Sequence, residues 1–525
     1  MISVIYCTRN SNRGHYDHIR KSSGLTNKIE VIEIVNNGES LTKAYNRGLE
    51  QATNDIVVFC HDDIIFNKNG WGRKIIKHFK NTNYGILGIA GTTDLPENGK
   101  WWTDSTKMVG IVKHSHEGKT VESKYSSNFV DKIIETVIVD GLFFAIHKDR
   151  VKETFDEGVE GFHFYEIDFC FRNHLAGVKI GVMFDVKVTH KSIGQTNDKW
   201  EENRVLFAEK YKDNLPLNIV PDIVFEDKNI KLKKTPKVSV IIPTKGKVEM
   251  LIDCINSIYD NDNYPNLEII IADTGSESNE ISQIESFISG LSLKSNRPHI
   301  IKLVTYDYYN FAKINNDVVT NHVDDDTELL LFCNNDIKLL NNGITQMVNT
   351  YNVNKSIGTI GCRLHYGDNT VQHSGIIMSI ANQQGAIGLS HKGLKSYHTY
   401  DMGNSNVLGN TAAFMMTSKE LFNKIKGFNE EYKECFEDVE YNIECLKLGL
   451  NNIIVGEAVA YHYESQTRND DDDKNKRQLV DLQTKLSPKI VTTRESWNYF
   501  TNISASNFEN YFINRPHVNK NQHTN

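Results

Sequence analysis

The sequence predicts an α/β protein made of two tandem domains, each a mostly parallel, doubly wound sheet. Three observations carry that expectation. Short apolar runs alternate with amphipathic stretches, the pattern of strand–helix–strand units that build a parallel sheet. One apolar run, Leu330-Leu331-Phe332-Cys333, stops abruptly on Asn334-Asn335-Asp336-Ile337, as a buried strand does when its carboxyl end opens onto a polar site. The same signature stands far upstream as Val57-Val58-Phe59-Cys60-His61-Asp62-Asp63-Ile64. Two such ends imply a repeat.

In chain order, residues 2–7 read as a strand and 8–14 as the loop after it, with Thr8 at the junction. Residues 29–35 make a second strand that ends on Asn36-Asn37-Gly38. Ser40 is placed to cap the next helix, which carries Leu41, Ala44, Tyr45 and Leu49 on one face. A third strand, 56–60, ends on His61-Asp62-Asp63. The stretch from Trp101-Trp102 to about residue 128 reads as irregular, and a strand is expected over 137–146. A helix opens around Tyr165-Glu166-Ile167-Asp168 and closes near Gly177, followed by a strand and His190.

Residues 212–236 hold Pro216, Pro221, Pro236 and a charged run, and read as a linker between a first domain over 1–211 and a second over 237–465. The pattern then restarts: strand 238–244, helix 248–259 and strand 267–272, ending on Asp273-Thr274-Gly275-Ser276. Residues 277–305 add a helix and a strand that the first half lacks, and a helix over 310–319 leads into the Asn334-Asn335-Asp336 strand. Residues 466–525 read as a helical and flexible tail, in which Asp470-Asp471-Asp472-Asp473 is a solvated acidic turn before a helix over 474–486. The repeat survives counting. Asp63 to Glu166 is 103 residues and Asp336 to Asp438 is 102; Glu166 to His190 and Asp438 to His462 are both 24.

Composition narrows the function. The chain has 525 residues, enough for two or three cores, and its net charge of −8 argues against nucleic acid as a partner. No stretch of about 18 apolar residues predicts a membrane helix, and the first residues lack the basic and small-residue features of a signal peptide. Eight cysteines without a C-x-x-C pair fit reduced, core-packed thiols in a cytoplasmic protein.

The repeated trio carries the chemistry. Taken singly, a strand-end Asp is ordinarily a turn residue, a Glu-Asp pair opening a helix satisfies its dipole, and a His after a strand is inert. The same trio at matching spacings in two halves points to a site. A strand-end carboxylate with a distant His suits a divalent cation on a diphosphate: Mg²⁺ takes few protein ligands and completes its shell with phosphate oxygens, and Mn²⁺ accepts imidazole more readily. A second carboxylate at a helix start is placed to act as a general base toward a hydroxyl.

Further stretches join these in the second half, among them Val238-Ser239-Val240-Ile241-Ile242-Pro243-Thr244, Asn310-Phe311-Ala312-Lys313-Ile314-Asn315-Asn316, Val371-Gln372-His373-Ser374-Gly375 and Phe436-Glu437-Asp438-Val439-Glu440. Over roughly 237–505 the chain resembles family 2 glycosyltransferases of the GT-A fold, of the bacterial O-antigen and capsule type. The first half resembles a more divergent member. The resemblance implies a hexosyltransferase that inverts the anomeric centre of a UDP- or dTDP-sugar with Mn²⁺ or Mg²⁺, acting on a glycan or lipid-linked glycan acceptor. It assigns the metal to Asp336 and His462, the nucleotide sugar to Thr244, Asp273 and Asn335, and the base to Asp438. The first-half counterparts are Asp63 and His190 for metal, Thr8, Asn36 and Asp62 for nucleotide sugar, and Glu166 for the base. His391 and Lys392 would line the donor or acceptor pocket. The enzyme would work in the cytoplasm, in peripheral contact with the inner membrane. Alternatives are a first domain that only holds acceptor or structure, a non-catalytic glycan-binding scaffold, or a nucleotidyltransferase, for which Thr244-Lys245-Gly246-Lys247 lacks the glycine-rich cradle.

Overall fold

The computed structural model describes residues 1–463 apart from 26–27, 37, 117, 126–131, 193–195, 224, 226–228, 295–299, 355, 381–386, 392, 398–402 and 433–436. The tail expected over 466–525, with its acidic turn and helix, lies outside the described residues. The chain divides into two compact units between Asp222 and Ile223.

In the first unit a seven-stranded sheet runs Ile133–Glu135, Ile180–Met183, Ile86–Gly88, Phe143–His147, Ile56–Cys60, Ile2–Thr8, Ile29–Val35. Phe143–His147 is antiparallel to both neighbours, and the edge strand Ile133–Glu135 is antiparallel to its own. The other five share one direction. The inner strands Ile56–Cys60, Ile86–Gly88 and Ile180–Met183 are fully buried, whereas the edge strands Ile29–Val35 and Ile133–Glu135 carry glutamates and are partly exposed. Val58 and Cys60 enter one core, while Phe59, from the opposite pleat, meets Tyr45, Phe144 and Phe155.

The second unit repeats this plan. Its sheet runs Ile300–Thr305, Leu267–Asp273, Lys237–Thr244, Thr327–Cys333, Phe414–Ser418, Ile357–His365, Asn451–His462, Ile337–Leu339. Here Phe414–Ser418 takes the antiparallel place of Phe143–His147, and Ile300–Thr305 is the extra edge strand foreseen from residues 277–305. Successive side chains of Thr327–Cys333 alternate between two cores: Leu329, Leu331 and Cys333 in one, Leu330 and Phe332 in the other. Each fully buried side chain of this kind contributes roughly 1.5–3 kcal/mol. That alternation makes the sheet doubly wound, as the sequence predicts.

Three local readings are sharpened. Residues 137–146 are not one strand: Ile138–Val139 and Phe143–His147 are separated by a turn, in which the Leu142 N–H donates to Asp140 Oδ1 at 2.9 Å. The irregular stretch holds a hairpin, Met108–His116 with Lys119–Lys124. Ser40 sits at the cap of helix Leu41–Gln51, but its hydroxyl pairs with Thr42 Oγ1 at 2.8 Å and makes no cap bond. The helices that open on Glu166 and Asp438, Tyr165–Leu175 and Glu437–Lys447, both run out to a glycine at positive φ, Gly177 (81°) and Gly449 (75°). Only glycine adopts that conformation without cost.

Candidate active site

The second-unit site is built where the strands Thr327–Cys333 and Asn451–His462 end and the antiparallel strand Phe414–Ser418 begins. After Cys333 the chain turns through Asn334-Asn335-Asp336 and re-enters the sheet at Ile337, which pairs with His462. That register sets Asp336 Oδ1 3.2 Å from His462 Nε2. Gln372 Oε1 lies 2.5 Å from His462 Nδ1. An amide oxygen only accepts, so the imidazole carries its proton on Nδ1 and turns the Nε2 lone pair toward Asp336. Asp336 Oδ1 is buried and meets no hydrogen-bond donor among the described residues. Two acceptors facing each other out of water are costly unless a cation lies between them. The pair therefore fits the divalent ion that the resemblance implies. Asn334 Nδ2 approaches the same Nε2 at 3.2 Å.

Asp438 stands beside the neighbouring strand end. The Ala412 N–H donates to its Oδ2 at 2.9 Å, while Asn334 N–H donates to the carbonyl of the next residue, Ala413, also at 2.9 Å. The carboxylate and the Asn334-Asn335-Asp336 turn thus flank one strand end. Burial pushes the Asp438 carboxyl up, against the bonds from Ala412 and Val439 and the charge of His391. His391 Nδ1 is 2.8 Å from His373 Nδ1, so the strand Ile387–His391 is drawn to the same place. Lys392 lies outside the described residues.

At the positions expected to meet the nucleotide, Asn335 Nδ2 donates to Thr244 Oγ1 at 2.9 Å. Asp273, the last residue of its strand, accepts at Oδ2 from the N–H groups of Gly275 and Ser276, both at 3.1 Å, and at Oδ1 from the Ser276 hydroxyl. These bonds fix the carboxylate in a turn at the carboxyl edge of the sheet.

The first unit carries the same frame with different side chains. His190 pairs with Ile64 as His462 does with Ile337, and Asp63 Oδ1 is 3.2 Å from His190 Nε2. Burial acts to raise the Asp63 carboxyl, but the hydrogen bond and charge of His190, with the charge of His61, bring it down to about 2. His61 stands at the place of Asn334, and His61, Asp63 and His190 each offer a ligand atom within 4.8 Å of the others. Glu166 opens its helix as Asp438 does. Burial, and then the charge of Asp140, push it up to about 8.

The nucleotide positions of the first unit differ more. Thr8 Oγ1 donates to the Asn10 carbonyl at 2.9 Å. Asp62 is close enough to His15 to act on its titration. Asn36 accepts from Gly38 and Glu39 N–H at 3.0 Å, the turn that Asp273 makes. The ladder is offset, however: Thr244 stands opposite Asp273, whereas Thr8 stands opposite Val35. Asn36 follows one place later, where Thr274 lies in the other copy, so its side chain departs from the opposite pleat. Reading two strands by their ends hides such a slip.

Gln372 and His61 carry roles that spacing does not reveal. Gln372 acts through a strand pairing that sequence distance cannot show, and His61 is masked by the Asn that replaces it in the better-matched half. Trp101 is buried and Trp102 half-buried, 5.2 Å from Trp200, which makes them core aromatics.

Residues 4–211 match a family described as glycosyltransferase-like, and residues 239–426 match glycosyl transferase family 2. An O-antigen biosynthesis protein of Myxococcus xanthus is 26% identical over 244 residues, 46% of this chain and 18% of that protein. An uncharacterized protein of Sinorhizobium fredii is 27% identical over 254 residues, 47% of this chain and 26% of the other. The chain thus spans about a fifth to a quarter of the length of these curated relatives. Among solved structures, a mannosyltransferase of Pyrobaculum calidifontis in complex with GDP-Man and Mn²⁺ aligns with a TM-score of 0.33 at 15% identity, over 50% of this chain and 65% of that one.

Proposed function

For this chain, an enzyme with two glycosyltransferase domains in tandem, the second of family 2, we propose metal-dependent, inverting transfer of sugars from UDP- or dTDP-sugars to a bacterial surface glycan. The acceptor is a glycan or lipid-linked glycan of the O-antigen, capsule or cell-wall type, met at the cytoplasmic face of the inner membrane. Among the described residues no helix is long and apolar enough to cross a membrane. The observation that carries the reading is the buried Asp336 Oδ1, without a donor among the described residues, facing an imidazole whose lone pair is fixed toward it by Gln372.

Asp336 and His462 hold the cation, Mn²⁺ or Mg²⁺, which when bound offsets the charge that builds on the departing diphosphate. Asp273, Thr244 and Asn335 orient the nucleotide at the sheet edge, with His391 and Lys392 beside the pocket. Asp438 takes the proton of the acceptor hydroxyl as the new C–O bond forms at the anomeric carbon and the bond to the diphosphate oxygen breaks on the opposite face. Burial supports Asp438 as a base because it makes proton uptake more favourable. In the first domain Asp63 and His190, with Glu166 as base and Thr8, Asn36 and Asp62 at the nucleotide positions, would run a second transfer. Two sites on one chain raise the effective concentration of the intermediate at the second site.

The test is turnover of UDP- and dTDP-sugars with Mn²⁺ or Mg²⁺ in wild type and Asp438→Asn. The variant should lose about 10²–10⁴-fold in the second-domain transfer. Full activity would remove Asp438 as the base.

A further inference from the structure

The two sites differ at one residue in a way that changes which cation each can hold. His61 and Asn334 are both the first residue after a buried strand, and each precedes its aspartate by two. Asn334 points an amide N–H₂ at the imidazole of its site and adds no metal ligand there. His61 adds one. Its Nε2 lies 3.1 Å from Tyr165 Oη, and that hydroxyl spends its only proton on the Gly141 carbonyl at 2.9 Å. The tyrosine oxygen is thus an acceptor toward His61, which sets the imidazole proton on Nε2 and leaves the Nδ1 lone pair facing inward.

The three atoms lie within 4.8 Å of one another, and the two separations to His190 match the shell of a small cation. His61 Nδ1 is 3.4 Å and Asp63 Oδ1 is 3.2 Å from His190 Nε2. A tetrahedron with ligand distances of about 2.0–2.1 Å has edges of about 3.3 Å. Ser192 Oγ lies 2.9 Å from the same His190 nitrogen and also bonds Asp63. Among the described residues His190 Nδ1 is buried and meets no hydrogen-bond partner, and its ring packs against those of His61 and His114.

We propose that the first domain binds a borderline transition-metal ion of the Zn²⁺, Co²⁺ or Mn²⁺ class on His61, Asp63 and His190 before any nucleotide arrives, whereas the second domain's Asp336–His462 pair needs the diphosphate to complete its shell. Two imidazoles and one carboxylate select such ions over Mg²⁺, which prefers an all-oxygen shell. The proposal deepens the transferase reading, which assigns only Asp63 and His190, but does not depend on turnover.

The experiment titrates Co²⁺ into the chelator-stripped full chain without nucleotide, following the visible absorption of imidazole-bound Co²⁺, with Zn²⁺ and Mg²⁺ as competitors. Wild type should bind one equivalent that Zn²⁺ displaces and millimolar Mg²⁺ does not. His61→Asn, which copies the second site, should weaken binding by at least about tenfold with the melting temperature of the metal-free protein unchanged. Asn334→His should add a second equivalent, testing the same ligand count by gain. Absence of Co²⁺ absorption in wild type, or binding unchanged in His61→Asn, would overturn the proposal. Either result would leave the Asp438→Asn assay of the transferase reading untouched.

Discussion

Gln372 shows how much a single side chain decides here. Its oxygen holds the His462 proton on Nδ1 and so aims Nε2 at Asp336. Without it the ring is free to take the other tautomer or turn away. Gln372→Ala should therefore weaken Mn²⁺ affinity in the presence of UDP by about 10–100-fold, read by calorimetry, with activity recovering at high metal. An unchanged affinity would mean that His462 is oriented by something else. Asp336 and His462 themselves were legible in the sequence, because a second copy repeats their type and spacing. Gln372 was not, since it reaches His462 only through the pairing of distant strands.

At the scale of elements, each proposed base is set by a helix start pressed against a strand end. In the first domain the turn at Asp140-Gly141 allows the approach: a Cβ on Gly141 would collide with Tyr165 Oη and crowd Glu166. The closeness has an electrostatic consequence. Asp140 stands where the other copy has Thr411, and its charge adds to burial in raising Glu166 to about 8. Below that pH Glu166 holds its proton and cannot accept another. First-domain transfer should thus climb about tenfold per pH unit up to about 8 and level off above it. In Asp140→Asn the rise should move to lower pH, which a pH–rate profile would record. A profile flat from pH 6 to 9 would argue against Glu166 as base. The helix itself was legible from the acidic start and Gly177. The turn that splits 137–146 was not, because its residues continue an apolar run and only the contact with Tyr165 gives Gly141 a reason. The offset of Asn36 was hidden for a similar cause: strand ends look alike in sequence, and only ladder register separates Val35 from Asp273.

At the scale of the molecule, the repeat was the most legible feature, since spacings of 103 and 102 residues reflect two sheets that share six strands in the same order. What the repeat could not convey is that the copies have diverged chemically. The second has an amide beside Asp336 and His462 and an aspartate at its helix start; the first has an extra imidazole and a glutamate raised by burial and by a neighbouring carboxylate. Divergence of this kind is expected of two sites with different tasks, rather than of one site and its decayed copy. The most direct measurement is product analysis with UDP- and dTDP-sugars for wild type, Asp63→Ala and Asp336→Ala. Two working domains predict that each variant loses one transfer, and a different one. Loss of the same single transfer in both variants would contradict the claim that each domain has its own activity.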